Sequence, residues 1–283
     1  MRTLFPAIRF MLLSTFSFAL MNALIKYLIH YDTFQLVFFR ALGSLFFTFS
    51  YLKYKKISVW GNQKKLLLLR GFFGVTSMSL FFAAIHYISI GSAVTLRYLA
   101  PIFAAILAVF FLNEKIKSIQ WFFFAIAFTG VALIKGFDSN LNSFGLMLVL
   151  LAAFFSAVVY ILISKIGKGD HPVVVVHYFM LIATTVGGFG CFFNWKTPPV
   201  SDLFLLLSLG IFGYFGQLFM TKAFQNAEAY VVAPFKYVEV VVTLSFGVFL
   251  FEENYTFLHL LGTFLVIFGL ALNVVYKSKK KDI

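Results

Sequence analysis

Ten apolar blocks, each close to the length of a membrane-crossing helix, follow one another along this 283-residue chain with only short gaps between them. A helix needs about 20 mainly apolar residues to cross roughly 30 Å of hydrocarbon. The blocks run Phe5–Leu28, Phe34–Leu52, Leu66–Tyr87, Ala93–Leu112, Ile119–Ile134, Phe144–Ile163, Val173–Phe193, Leu203–Ala223, Tyr230–Phe251 and Leu258–Tyr276. Lipid offers no partner to a backbone N–H or C=O, so spans of this kind are helices that satisfy those groups internally. The sequence therefore predicts an all-α membrane protein of ten transmembrane helices, the fifth being the shortest. Composition agrees: 61% of residues are apolar and 12% charged, where a soluble domain has about 45–50% and 25%. Arg2 and Arg9 ahead of the first block resemble a signal peptide. That block is longer than an h-region of about 7–15 residues, which predicts a retained first helix.

The formal net charge of +13 has an explanation in orientation, because cytoplasmic loops are enriched in Lys and Arg. With the N-terminus inside, the inner segments carry 17 basic residues, among them Lys53, Lys55, Lys56, Lys64, Lys65, Arg70 and the C-terminal lysines. The outer segments carry 3, namely Lys26, Lys135 and Lys196, and Arg40, Arg97 and Lys236 fall inside helices. This predicts a multi-pass protein of the cell (inner) membrane with both termini cytoplasmic, and no nucleic-acid partner. The single cysteine, Cys191, allows neither a disulfide framework nor a cysteine metal site. The five histidines are scattered without metal-ligand spacing, and no phosphate-cradling loop or nucleophile elbow occurs. An enzyme is not expected, nor a cofactor or a metal.

The two halves match at a constant shift of 139 residues. Phe16 and Ser17 meet Phe155 and Ser156, Lys26 meets Lys165, and Gly71, Phe73 and Gly74 meet Gly210, Phe212 and Gly213. Ala84 meets Ala223, Tyr98 meets Tyr237, Glu114 meets Glu253, and Gly130 meets Gly269. With five helices in each half, the second enters the membrane from the opposite side. The expected organisation is two inverted five-helix repeats, residues 1–138 and 139–283. Substrate sites in such folds commonly lie at the repeat interface.

The run Tyr98-Leu99-Ala100-Pro101, followed by Phe111-Leu112-Asn113-Glu114-Lys115, resembles the fourth-helix signature of the drug/metabolite transporter superfamily, EamA type. Its counterpart, Ala233-Pro234-Phe235-Lys236-Tyr237-Val238-Glu239 with Phe251-Glu252-Glu253, resembles the ninth-helix element. Phe38-Phe39-Arg40 and Arg70-Gly71 are similar to further family positions. The chain is also similar to the S-adenosylmethionine uptake carriers of intracellular bacteria. The resemblance implies a membrane carrier of a small organic solute. The family covers exporters of amino acids and drugs as well as importers, so direction stays open, and a lipid-moving protein of the same fold remains an alternative.

Ionisable residues within the spans cost about 2.5–3.5 kcal/mol each at mid-bilayer on insertion scales, and they face a cavity or a partner. Four stand out: Arg40, Arg97, Lys236 and Glu239. Helical rise places Arg40 and Arg97 about 10 Å below the outer surface and Lys236 and Glu239 about 10 Å from the inner one. The sequence thus predicts an outer basic cluster and an inner Lys–Glu cluster, with Lys236 and Glu239 paired across three residues of one helix face. Tyr98 and Tyr237 would supply aromatic walls with a polar tip, and Gln217 a polar contact. The alternative is that the charges snorkel or form fixed structural pairs. Pro101 and Pro234, which lack an N–H, would break the fourth and ninth helices and leave the carbonyls of Arg97 and Tyr230 free. Matching interrupted helices are a pointer to a transport site, though packing kinks would read the same way. The four charges, three positive and one negative, suit an anionic or zwitterionic solute taken up or expelled by alternating access, by a monomer or a homodimer.

Overall fold

The computed structural model describes residues 4–111, 117–137, 142–226 and 235–279. Over these residues the chain is entirely helical apart from its turns. The helices are α1 (Leu4–Tyr27), α2 (Thr33–Tyr54), α3 (Lys64–Ile85), α4 (Ile90–Arg97), α5 (Ala100–Phe111) and α6 (Ser118–Phe137). They continue with α7 (Ser143–Ile166), α8 (Pro172–Cys191), α9 (Val200–Asn226), α10 (Val238–Phe251) and α11 (Phe257–Lys279). Six of them, α1, α2, α3, α7, α8 and α9, contain stretches of 20 to 22 residues apolar enough to cross a membrane. Large apolar side chains such as Phe46, Phe72, Phe204, Phe249 and Phe264 stand exposed on the outside of the bundle. A soluble surface does not tolerate so much contiguous apolar area, whereas lipid does. The protein is a multi-pass helical membrane protein.

Local chemistry sets the helix ends. Asp32, Ser89 and Asn142 each stand just before a helix with a side-chain oxygen accepting from its first turn, at Phe34 N, Ser92 N and Phe144 N respectively. Such caps satisfy donors that the helix itself cannot. Helix α3 starts without a side-chain cap, and Asp170 of the α7–α8 turn holds the two residues just before it: its carboxylate oxygens accept from Asn62 N and Gln63 N at 2.5 and 2.9 Å. One face of the bundle, here the N-terminal face, therefore has loops 55–63 and 167–171 fastened together.

The opposite face is tied at several points. Lys26 Nζ lies 3.3 Å from Glu253 Oε1, which also accepts from Ile90 N at the start of α4 (3.0 Å). Tyr255 donates its hydroxyl hydrogen to the other oxygen of Glu253. Tyr31 donates to Asp202 Oδ2 at 2.7 Å, and Gln35 Nε2 donates to the carbonyl of Lys196 at 2.7 Å.

Helix packing repeats with the same register as the sequence. Leu4 and Ser143, Thr33 and Pro172, and Ser118 and Phe257 are helix starts 139 residues apart. The heaviest packing joins α6 to α11, α3 to α7, α1 to α9 and α2 to α8. Glycines let backbones touch where α2 crosses α9: a Cβ on Gly43 would stand 2.9 Å from Gly210 Cα, and Ser44 Oγ donates to the Gly210 carbonyl at 2.9 Å. Close small-residue crossings of this kind are how helices associate in lipid.

Candidate functional site

A cavity of about 700 Å³ occupies the middle of the bundle. It reaches the N-terminal face at Ile166, Gly167 and Asp170, and among the described residues no loop of the opposite face lines it. Apolar walls come from residues such as Phe18, Phe82 and Phe179, and four basic side chains project into it: Arg40, Arg70, Arg97 and Lys236.

Arg97 ends α4, where the chain turns through Tyr98 and Leu99 before α5 begins at Ala100. The proline two residues into the next segment, Pro101, has no N–H to offer the Arg97 carbonyl, so the break falls where the sequence leaves that carbonyl unpaired. Pro101's ring lies among side chains outside the description, and Pro234, Tyr230 and Glu114 lie outside the described residues altogether. The interruption frees Arg97 and Tyr98 to reach across to the other half. Arg97 Nη2 forms an ion pair with Glu239 Oε1 at 3.0 Å, and its guanidinium carbon sits 3.8 Å from the Phe81 ring centroid. Tyr98 donates to Glu239 Oε2 at 2.7 Å, with the Lys236 carbonyl oxygen 3.0 Å away as a second acceptor. Asn22 of α1 donates to Glu239 Oε1 at 3.1 Å. Glu239 is fully buried and all its partners are donors, which fits an ionised carboxylate held by charge-assisted bonds.

This geometry differs from the arrangement expected of separate outer and inner clusters. Glu239 pairs with Arg97 rather than with Lys236, and the two clusters are one. Arg97, at the end of α4, reaches Glu239 in the first turn of α10 from the facing segment. Lys236 instead directs its ammonium over the Tyr98 ring, 5.5 Å from the centroid. Of the residues singled out in the sequence, Arg40, Arg97, Tyr98, Gln217, Lys236 and Tyr237 line the cavity, while Glu239 sits behind it. Tyr98 and Tyr237 meet edge to face with centroids 5.5 Å apart.

Arg70 is the cavity residue that loop assignment missed. Six residues into α3, it lies about 9 Å along the helix from the first residue, too deep for a surface charge. The signal that would have found it is Gly74, four residues on and on the same face. A Cβ at Gly74 would stand 2.9 Å from Arg70 Nη1 and 2.9 Å from Phe179 Cδ2, so the glycine leaves the space the guanidinium uses. Its repeat counterpart, Gly213, does the same for Arg40, whose Nε would lie 3.2 Å from a Cβ there.

An apolar helical bundle with a charged central cavity open toward one face and tied shut at the other is the architecture of a membrane transport protein. The chain belongs to the EamA-like transporter family, whose model matches residues 5–136 and again residues 143–275. Membership places it among small-molecule transporters of the drug/metabolite superfamily rather than among enzymes; among the described residues no group of His, Cys, Asp or Glu is placed to hold a metal ion. It is 26% identical over 271 residues to the pseudopaline exporter CntI of Pseudomonas aeruginosa, covering 95% of each chain. It is 29% identical over 286 residues to the S-adenosylmethionine uptake transporter of Rickettsia conorii, covering 99% of this chain and 96% of that one. It is 27% identical over 290 residues to human solute carrier family 35 member G1, covering 95% of this chain and 80% of that one. One crystal structure superposes with a TM-score of 0.68 at 14% identity over 98% of this chain and 96% of that one, a likeness of fold.

Proposed function

We propose that the protein carries a small polar metabolite bearing anionic groups across the cell (inner) membrane by alternating access, as ten transmembrane helices in two inverted repeats. The observation that supports this best is the excess of basic side chains in a cavity open toward one face. The doubled family match, the common helix register and the inverse connectivity of five-helix halves support the repeats, with residues 1–138 and 139–283 as the two units. The charge of the loops supports cytoplasmic termini, which puts the cavity in communication with the cytoplasm. Substrate contacts fall to Arg40, Arg97, Tyr98, Gln217, Lys236 and Tyr237. Glu239 holds Arg97 and Tyr98 in place, and Pro101 and Pro234 mark the paired helix breaks.

Two solute readings compete. Uptake of an amino acid or of an amino-acid derivative such as S-adenosylmethionine draws on the rickettsial relatives. Export of a metabolite draws on the Pseudomonas relative, and the cavity favours it. S-adenosylmethionine sets a sulfonium and an ammonium against a single carboxylate, so it would bring further positive charge into a basic chamber. An acidic metabolite brings the missing negative charge.

Counterflow in proteoliposomes tests the carrier reading. Purified protein is loaded with unlabelled solute and offered labelled carboxylate metabolites, amino acids or S-adenosylmethionine, with Arg97→Ala as the control. Accumulation of one solute class that disappears in the control supports a carrier of that class. No accumulation of any solute by folded protein rejects small-metabolite transport and turns attention to lipids.

A further inference from the structure

The four cavity cations are not equivalent. Arg97 has Glu239, whereas no carboxylate among the described residues lies within ion-pair distance of Arg40, Arg70 or Lys236. Asp170, the carboxylate on the cavity wall, spends both oxygens on the backbone of Asn62 and Gln63. Arg40 and Arg70 are each only 4% exposed. Among the described residues the Nε and Nη1 donors of Arg70 have no hydrogen-bond partner. Those of Arg40 are turned to the sulfurs of Met21 and Met78, which are weak acceptors. Both guanidiniums rest on one ring, with Arg70 4.2 Å and Arg40 5.6 Å from the centroid of Phe179. Arg40 also lies 6.0 Å from the Phe82 centroid, while the neighbouring Phe81 carries Arg97. The centroids of Phe81 and Phe82 are 6.2 Å apart. Two cationic stations therefore share one chamber, Arg40 and Arg70 at Phe179, and Arg97 and Lys236 at Phe81 and Tyr98.

From this geometry we infer that the Arg40–Arg70 pair is a second carboxylate subsite, and that the carried solute has at least two carboxylates, one for each station. The inference deepens the carrier reading above and rests on it. A buried cation without a counter-ion is costly, and membrane proteins keep such groups where function uses them. Guanidinium forks match planar carboxylates bidentately, which a lysine at either position would not. The rings of Phe179 and Phe82 hold the forks without neutralising them. Among the described residues the chamber therefore carries more positive than negative charge, and the solute supplies the difference.

Binding to full-length protein in detergent tests this without any transport step. Thermal unfolding is followed at constant ionic strength with acetate, succinate, glutarate, citrate, pyrophosphate or chloride alone. A ligand that binds only the folded protein raises the unfolding temperature with the logarithm of one plus its concentration over its dissociation constant. The expected result is a concentration-dependent rise with the di- and tricarboxylates and none with acetate at equal carboxylate concentration. Arg70→Gln should raise the unfolding temperature of the empty protein, because it removes an uncompensated buried charge. It should also weaken dicarboxylate binding by about tenfold or more, the loss expected for one charge-assisted contact. Arg70→Lys should keep part of the response, and Arg40→Gln reads the same pair from α2 should Arg70→Gln not fold. An acetate response equal to that of succinate, or a response to pyrophosphate alone, overturns the inference. So does an Arg70→Gln protein less stable when empty yet fully responsive to dicarboxylate. No response to any of these anions sinks the two-carboxylate assignment, while counterflow of another solute would leave the carrier reading standing.

Discussion

Arg97 and Glu239, 142 residues apart in the chain, meet in an ion pair of 3.0 Å that joins the end of α4 to the start of α10. Breaking a buried pair from one side leaves the other charge stranded, at a cost of about 3–5 kcal/mol. Glu239→Gln should therefore lower stability by that order, and Arg97→Gln with Glu239→Gln should recover much of the loss. A double-mutant cycle by thermal unfolding in detergent checks it. Additive losses would mean the two side chains do not act as a pair.

Tyr98 gives Glu239 its shortest bond, 2.7 Å. Tyr98→Phe keeps the ring that faces Tyr237 and Lys236 but withdraws the hydroxyl, leaving a buried carboxylate oxygen one donor short. A destabilisation of about 1–3 kcal/mol is expected. Tyr98→Leu should cost more, because it removes the edge-to-face contact as well. Unfolding midpoints of the two variants, compared side by side, measure the difference.

On the face away from the cavity mouth, Glu253 binds Lys26, Tyr255 and the first N–H of α4 together. Glu253→Gln should loosen that closure and let water reach the α4 start. In a Cys191→Ser background, a cysteine introduced at Ser92 should react slowly with a membrane-impermeant thiol reagent in the parent and at least several-fold faster with Glu253→Gln. Equal rates would show that this ion pair does not hold the face shut.

Gly74 leaves the space that the Arg70 guanidinium and Phe179 fill. Gly74→Ala forces a methyl into both, and overpacking of this sort costs about 1–3 kcal/mol. It should also tilt the Arg70 fork and reduce binding of any anionic solute. Gly188→Ala on α8, where a Cβ meets only the rim of Phe38 at 3.4 Å, serves as the control and should change little. Anion-dependent thermal shifts on the two variants report the outcome.

The sequence carries the spans plainly because lipid imposes one requirement on all of them: length and apolarity. Thus α1, α2, α7 and α8 begin within one or two residues of the expected blocks. The fourth block was legible as apolar helix, and Tyr98 and Pro101 marked where α4 gives way to α5, since proline withdraws a donor at a fixed place. The partner of Glu239 was not legible. Helical spacing favoured Lys236, three residues away, but its ammonium goes to the Tyr98 ring and Arg97 comes across from α4 to take the carboxylate. Arg70 was hidden for a related reason. It falls inside the third block, but its nearness to Lys64 and Lys65 groups it with the inner basic residues, and its burial, 4% exposed, shows only in the structure.

The pairing of α1 with α9, α3 with α7, α2 with α8 and α6 with α11 means that every principal seam of the bundle is sewn between the first half of the chain and the second. A boundary near residue 140 divides the sequence but divides nothing in space. Produced alone, either half would present four unmatched helix faces to lipid and leave Arg97 or Glu239 without its opposite number. Produced together as two separate chains, the halves should find each other at those same seams.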